Sequence, residues 1–204
     1  MLRRILLLAA ALLSLGSTGG DGVWMVLRQG WPDPASALPA AAVSADGRYV
    51  AFVSAVRLTA ADTNGLDDIY VLDRDTRELS LATVAFSGGA ADGTSFNPQL
   101  NGDGRWLAFD SRAATLTDAP DRNEKEDIFV RDRVERVTRR VSIGPGGEDA
   151  NGGSVEPALS TDGRWLVFQS TATNLVPGGD LNGTGSDIFL ADLSTGTLTR
   201  ISVA

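Results

Sequence analysis

The chain has 204 residues, a formal net charge of −8, and neither cysteine nor histidine. The acidic balance argues against nucleic acid or anionic lipid as a partner, because binding to phosphates needs clustered Lys and Arg. The missing residue types exclude a thiolate nucleophile, an iron–sulfur cluster, a Ser-His-Asp triad and histidine-ligated zinc. With 43% hydrophobic residues, the chain is long enough to form one domain with a core of its own.

Residues 1–20 are predicted to be a signal peptide. Arg3 and Arg4 precede an apolar stretch at 5–15, and small residues follow around Ser17. As a helix this stretch reaches only about 16 Å, whereas a bilayer core measures about 30 Å, so a cleaved signal is favoured over a retained anchor. The sequence therefore predicts an exported protein, periplasmic or extracellular, with no membrane insertion after cleavage. Residues 21–35 are predicted to form an N-terminal strand and a loop.

Residues 36–204 contain one sequence pattern three times, at about 36–86, 94–144 and 153–204. Each copy has an Asp-Gly turn, and the aspartates Asp46, Asp103 and Asp162 recur about every 57–59 residues. Repetition at a fixed period indicates supersecondary units that bury their apolar faces by stacking on one another.

Each copy is predicted to contain four short strands. The first ends at the Asp-Gly turn, which is a strong hairpin signal. The second is apolar throughout, so both of its faces are predicted to be buried; it spans 49–53, 106–109 and 165–168 in the three copies. The third begins at Asp68, Asp127 or Asp187, and the fourth alternates polar and apolar residues at 78–84, 136–143 and 197–203. The pattern predicts an all-β fold of three four-stranded antiparallel β-propeller blades in an incomplete ring.

Three motifs together resemble the WD40-like repeat of secreted bacterial TolB-type β-propellers. They are Pro-x-Leu-Ser-x-Asp-Gly-Arg-Trp-Leu-x-Phe at 157–168, Asp-Ile-Phe-Val-x-Asp at 127–132 and Thr-Arg-x-Ser at 199–202. The resemblance covers the chain from about Ser36 to its end. It implies a propeller, and such propellers serve as binding scaffolds, as periplasmic assembly components or as non-catalytic domains of peptidases.

Three blades are fewer than the roughly 4–8 of a closed propeller. Three explanations stay open: two chains complete one ring as a homodimer, the chain is a truncated product of a longer gene, or it forms an open and poorly soluble array. The first makes a second copy of the chain a predicted partner.

A loop rich in oxygen side chains precedes the third strand of each copy. Alternating Asp and Asn can wrap Ca²⁺ at about 2.3–2.6 Å, and this is the one cofactor that the sequence suggests. The alternative is a set of Asx turns whose last Asp bonds backbone amides. We favour the alternative, because the loop lacks the bidentate Glu of an EF-hand and Lys125 would repel a cation. The candidate ligands are Asp62, Asn64, Asp68, Asp121, Asn123, Asp127, Asp180, Asn182 and Asp187.

Two further sets of residues recur in register. Asp73, Asp132 and Asp192 are predicted to accept hydrogen bonds in the outer turn of each copy. Arg48, Arg105 and Arg164 are predicted to pair with a neighbouring carboxylate or to lie on the rim, where a ring of arginines could alternatively bind an anion.

These observations predict a non-catalytic, exported propeller that binds a protein or peptide partner or acts as a scaffold. No catalytic residue is predicted, because a carboxylate pair of the glycosidase kind would break the repeat, whereas many acidic residues here recur in register. Two alternatives remain: the N-terminal propeller of a longer hydrolase or peptidase, and a calcium-stabilised structural module.

Overall fold

The computed structural model describes residues 40–119, 121–178 and 185–202, all within the unit Asp33–Ala204. These residues form twelve strands and no helix. The strands are β1 Ala41–Val43, β2 Tyr49–Ser54, β3 Asp68–Asp73, β4 Leu79–Leu81, β5 Ser95–Leu100, β6 Trp106–Ser111, β7 Asp127–Asp132, β8 Val137–Arg140, β9 Ser154–Leu159, β10 Trp165–Ser170, β11 Asp187–Asp192 and β12 Thr197–Arg200. The predicted signal peptide and N-terminal strand lie outside the described residues.

The strands form three four-stranded antiparallel sheets in chain order, which we call blade 1 (β1–β4), blade 2 (β5–β8) and blade 3 (β9–β12). The predicted fold class is confirmed. The fourth strands are shorter than predicted, because the chain leaves the ladder early: Val84 and Ile143 instead form isolated bridges with Ala90 and Asp149, which close the loops that lead to the next blade.

The blades stack through two apolar cores, one on each face of blade 2. Strand alternation directs Leu107, Phe109 and Phe129 into the core shared with blade 1. The opposite face of blade 2 contributes Ala108, Ile128 and Val130 to the core shared with blade 3. Burial on both faces, predicted for every second strand, is therefore found only in β6.

The prediction for the other two second strands was wrong. In β2 and β10 only alternate residues are buried, and the rest are half-buried or exposed. The physical reason is that each lies in a terminal blade, where among the described residues only one face has a neighbouring blade to pack against.

The Asp-Gly turns of successive blades are joined to one another. The backbone N–H of Ala45 donates to the carbonyl of Gly102 at 2.9 Å, and the N–H of Gly102 donates to the carbonyl of Thr161 at 2.7 Å. The turn glycines also lie against the aromatic residue of the preceding blade. A Cβ at Gly104 would lie 2.3 Å from a ring carbon of Tyr49, and one at Gly163 would lie 2.7 Å from Trp106.

Gly104→Ala is expected to destabilise the protein more than Gly196→Ala. Both glycines have a positive φ, 70° and 75°, so the backbone strain of alanine is common to both. Only at position 104 does the added carbon force the blade contact open, since no heavy atom lies within 4 Å of a Cβ at Gly196. We expect an additional loss of about 1–3 kcal/mol in the free energy of unfolding, measured with urea at one protein concentration. Equal losses would contradict the packing of the turn on Tyr49.

Candidate functional site

The oxygen-rich loops of blades 1 and 2 are built from Asx turns. Asp62 Oδ1 accepts from the N–H of Asn64 at 3.3 Å, and Asn64 Oδ1 accepts from the N–H of Leu66 at 2.8 Å. Asp121 and Asn123 repeat this arrangement at 3.1 and 2.7 Å. The turns are those that the sequence favours. Asp180 and Asn182, the corresponding residues of blade 3, lie outside the described residues.

The aspartate that begins each third strand bonds a hydroxyl group, not the backbone amides that were predicted. The hydroxyl donates to the carboxylate at 2.5–2.7 Å. It also accepts from the backbone N–H of the isoleucine that directly follows the aspartate. The pairs are Asp68 with Thr83, Asp127 with Ser142, and Asp187 with Ser202. The hydroxyl residue follows its aspartate after a constant interval of 15 positions, a recurrence that sequence reasoning could have used.

In blade 2 an arginine occupies the centre of the loop. Arg140 Nη1 lies 2.7 Å from Asp121 Oδ1 and 3.5 Å from Asp127 Oδ2, and its Nη2 lies 2.5 Å from Asp149 Oδ1. The side chains of Arg140, Asp121 and Asp127 are 5%, 4% and 0% exposed. Two of the candidate calcium ligands of blade 2, Asp121 and Asp127, therefore pair with a guanidinium group.

Blade 3 has an arginine at the same register position. Arg140 lies opposite Phe129 in the pair of strands β7 and β8, and Arg200 lies opposite Phe189 in β11 and β12. Arg200 Nη1 lies 3.4 Å from Asp187 Oδ2. The guanidinium is thus a repeated feature of the second and third blades.

Blade 1 departs from this pattern at both positions. Leu81 takes the place of the arginine, and it lies opposite Tyr70, which takes the place of the phenylalanine. The hydroxyl of Tyr70 donates to Asp62 Oδ2. Asp62 and Asp68 are 1% and 0% exposed, and Asp68 Oδ2 has no hydrogen-bond partner among the described residues. Among the described residues no basic side chain forms an ion pair with Asp62 or Asp68, whereas Arg140 pairs with both of their counterparts in blade 2.

Burial controls the protonation of these carboxyl groups. Desolvation raises the pKa of Asp68, and the nearby charge of Asp62 raises it further, while Thr83 and Asn64 partly offset the rise. Desolvation also raises the pKa of Asp127 to about 6, although Ser142, Asn123 and Arg140 act in the opposite direction. An ionised carboxylate is therefore disfavoured in both blades, and it needs compensation.

The outer turns carry the predicted pairs of Arg and Asp. Arg48, Arg105 and Arg164 form ion pairs with Asp73, Asp132 and Asp192 at 2.8, 2.6 and 2.8 Å. One carboxylate oxygen of each aspartate also accepts from backbone N–H groups of the turn. Bonds from the arginines hold the pKa of these three carboxyl groups below the ordinary value. Both predictions for these residues are confirmed, and their role is to close the outer turns.

In blades 1 and 2 the aromatic residue after this arginine contacts the following blade. The guanidinium carbon of Arg133 lies 4.3 Å from the ring centroid of Tyr49, beside Gly104. Trp106 lies against Gly163 of blade 3. Trp165 belongs to the last blade, no described residue of a following blade covers it, and it is 38% exposed. Sequence reasoning missed this contact, because it joins residues of different repeats.

No family model matches the sequence, and no curated protein matches it. Solved structures do match. A TolB from Agrobacterium tumefaciens aligns with a TM-score of 0.53 and 21% identity over 81% of this chain and 46% of that one. TolB from Acinetobacter baumannii aligns with a TM-score of 0.49 and 19% identity over 80% of this chain and 32% of that one. The fold is a TolB-like β-propeller.

A third similar structure is dipeptidyl peptidase 4 from Porphyromonas gingivalis, with a TM-score of 0.50 and 12% identity over 87% of this chain and 27% of that one. At these identities the likeness is one of fold. The TolB-like propeller described here spans about half the length of the Agrobacterium protein that it matches, 46%.

Residues 40–119, 121–178 and 185–202 contain no helix that is long and apolar enough to cross a membrane. The same part of the TolB-like propeller contains no cluster of three or more Asp, Glu, His or Cys side chains arranged to hold a metal ion.

Proposed function

We propose that this TolB-like propeller is a non-catalytic, exported module that acts by binding proteins through the open faces of its terminal blades. The observation that carries the proposal is that blades 1 and 3 each have an apolar face with no neighbouring blade among the described residues, which we call the open face. The corresponding face of blade 2 is buried in each case. The recurring aspartates described above support the non-catalytic part, since they bond arginines, hydroxyl groups and turn amides of the fold itself.

The open face of blade 3 consists of Val167, Ile188 and Leu190, which are only partly buried. Their counterparts in blade 2 are Ala108, Ile128 and Val130, which are fully buried in the core shared with blade 3. The open face is thus suited to packing against a following blade.

The open face of blade 1 corresponds to the other face of blade 2, the one that packs against the preceding blade. Val50 and Phe52 are partly buried beside Tyr70, and their counterparts Leu107 and Phe109 are fully buried in the core shared with blade 1. This face is suited to packing against a preceding blade. The two open faces of one chain are therefore complementary to each other, and each could join the other face of a second copy.

We infer that the first partner is a second copy in a head-to-tail arrangement. Two such junctions would close a ring of six blades, within the roughly 4–8 of known propellers. Trp165 would then receive the turn at Gly47 of the second copy, as Trp106 receives Gly163 within the chain. The N–H of Thr161 would donate to the carbonyl of Ala45 of the second copy, which continues the series of bonds between turns. Ligand binding would follow on the loops around the completed ring.

Charged variants on the two faces test this arrangement. Leu190→Asp and Val50→Asp are each expected to convert a dimer into monomers, because a carboxylate would be buried without a partner at both junctions. An equimolar mixture of the two variants retains one intact junction, so it is expected to associate again at higher concentration. Light scattering after size-exclusion chromatography measures both results.

Val134→Asp is the control for these variants, since Val134 is 66% exposed on a turn of blade 2, and its substitution is expected to leave the mass unchanged. The arrangement would be refuted if Leu190→Asp and Val50→Asp kept the mass of the unmodified chain, or if their mixture stayed monomeric at every concentration.

A second candidate function is that of the propeller part of a longer hydrolase or peptidase. The likeness to dipeptidyl peptidase 4, which extends over 87% of this chain, favours it. In that case further blades of the same polypeptide would cover the open faces, and the chain alone would be a monomer or an aggregate. The sequence predicts export for either candidate, and cell fractionation with and without residues 1–20 tests that prediction.

A further inference from the structure

We propose that blade 1 binds one hard cation, with Ca²⁺ as the first candidate, between Asp62 and Asp68, at the position that the guanidinium of Arg140 holds between Asp121 and Asp127 in blade 2. The site lies inside the loop of one blade, so the inference does not depend on the proposed function. It also narrows the calcium prediction from three loops to one.

Blade 1 lacks the positive charge that Arg140 supplies to the loop of blade 2. In blade 2 the loop carboxylates Asp121 and Asp127 share Arg140, whose side chain is 5% exposed. In blade 1 the equivalent carboxylates are just as buried, but Leu81 occupies the register position of the arginine. Two buried negative charges without a positive one are strongly disfavoured, because each has lost the solvation of water.

One carboxylate oxygen of Asp68 also points to a missing ligand. Asp68 Oδ1 accepts from Thr83 at 2.5 Å, whereas Asp68 Oδ2 is buried with no hydrogen-bond partner among the described residues. Its counterpart Asp127 Oδ2 accepts from Asn123 at 2.8 Å and lies 3.5 Å from Arg140 Nη1. By the equivalence of the blades, Asp68 Oδ2 is directed at the position that the guanidinium holds in blade 2.

The rest of the loop in blade 1 favours a cation over a protein side chain. Thr63 and Leu66 replace Arg122 and Lys125 of blade 2, so neither basic residue is present to repel an ion. Tyr70 donates to Asp62 and orients it, but a neutral phenol supplies no positive charge. Two carboxylates supplemented by neutral oxygens are ligands for Ca²⁺, and Ca²⁺ tolerates irregular geometry, whereas Mg²⁺ sheds its water reluctantly.

The experiment measures bound metal and thermal stability in the full chain. Elemental analysis of purified protein dialysed against calcium is expected to find one Ca²⁺ per chain. Chelator-treated protein is expected to show a rise in Tm of roughly 5–10 °C when Ca²⁺ is added to about 100 times its Kd. Parallel titrations with Mg²⁺, Na⁺ and K⁺ establish which cation the loop prefers.

Two variants separate this site from ions bound elsewhere on an acidic surface. The double variant Tyr70→Phe with Leu81→Arg rebuilds the residues of blade 2, so we expect it to lose the bound Ca²⁺ and the calcium-dependent rise in Tm while remaining folded. Asp68→Asn is expected to weaken the affinity for Ca²⁺ at least 100-fold, because it removes a charged ligand. The proposal is overturned if no cation is bound and none raises the Tm, a result that would leave a shared proton as the compensation. It is equally overturned if the double variant keeps the calcium response.

Discussion

Phe109→Ala is expected to lower the free energy of unfolding by about 3–5 kcal/mol. Phe109 is fully buried between blades 1 and 2, and its ring lies 5.8 Å from that of Phe129 across the strand pair β6 and β7. Its removal leaves a cavity in the contact between two blades, and neither twisted sheet can move into that space without breaking its own ladder. Urea unfolding, followed by tryptophan fluorescence, measures the loss.

Phe86→Ala is the matched control for this variant. Phe86 is 66% exposed, so its removal is expected to change the free energy of unfolding by less than about 0.5 kcal/mol. Similar losses for the two variants would contradict the assignment of Phe109 to the core between the blades.

Arg140→Leu is expected to lower the free energy of unfolding by about 3–5 kcal/mol at neutral pH. The substitution reproduces the leucine of blade 1, but it leaves Asp121 and Asp127 buried without a cation and without a tyrosine hydroxyl. Arg112→Leu is the control, because Arg112 and Glu126 form an ion pair on the surface with side chains 60% and 30% exposed. Exposed pairs contribute only about 0–1 kcal/mol.

The loss caused by Arg140→Leu is expected to depend on pH. Burial raises the pKa of Asp127 to about 6 in the intact protein, and removal of the arginine, which acts in the opposite direction, raises that pKa further. The folded variant then binds a proton at a pH where the unfolded chain does not, so its stability falls as pH rises above about 4. The difference between the variant and the unmodified protein should therefore shrink from pH 7 towards pH 4. A constant difference would contradict the buried network.

Much of the fold follows from local patterns in the sequence. The Asp-Gly turns and the apolar runs after them locate the hairpins, because glycine adopts a positive φ without a steric penalty. The period of the repeat then indicates blades. What the pattern does not contain is the number of neighbours that each blade has, and for this reason burial on both faces was predicted for β2 and β10 as well as for β6.

The candidate site was predicted less completely, because its decisive contacts cross strands. Asp62, Asn64 and their counterparts stand close together in the sequence, so the Asx turns could be predicted. Arg140 reaches the loop from the last strand of the blade, and Ser142 lies 15 positions beyond Asp127. Their meeting depends on the register of β7 with β8, which a single sequence does not specify. Only when that register is known does it become clear that Leu81 stands where blade 2 has Arg140.

We propose above that the two terminal faces of the array are complementary halves of one contact between blades. The solution mass of the purified chain, measured by light scattering after size-exclusion chromatography over a range of concentrations, tests it most directly. We expect a discrete particle with twice the mass of one chain, since two head-to-tail junctions would close the ring and leave no face for a third copy. A stable, soluble monomer at all concentrations would contradict the claim.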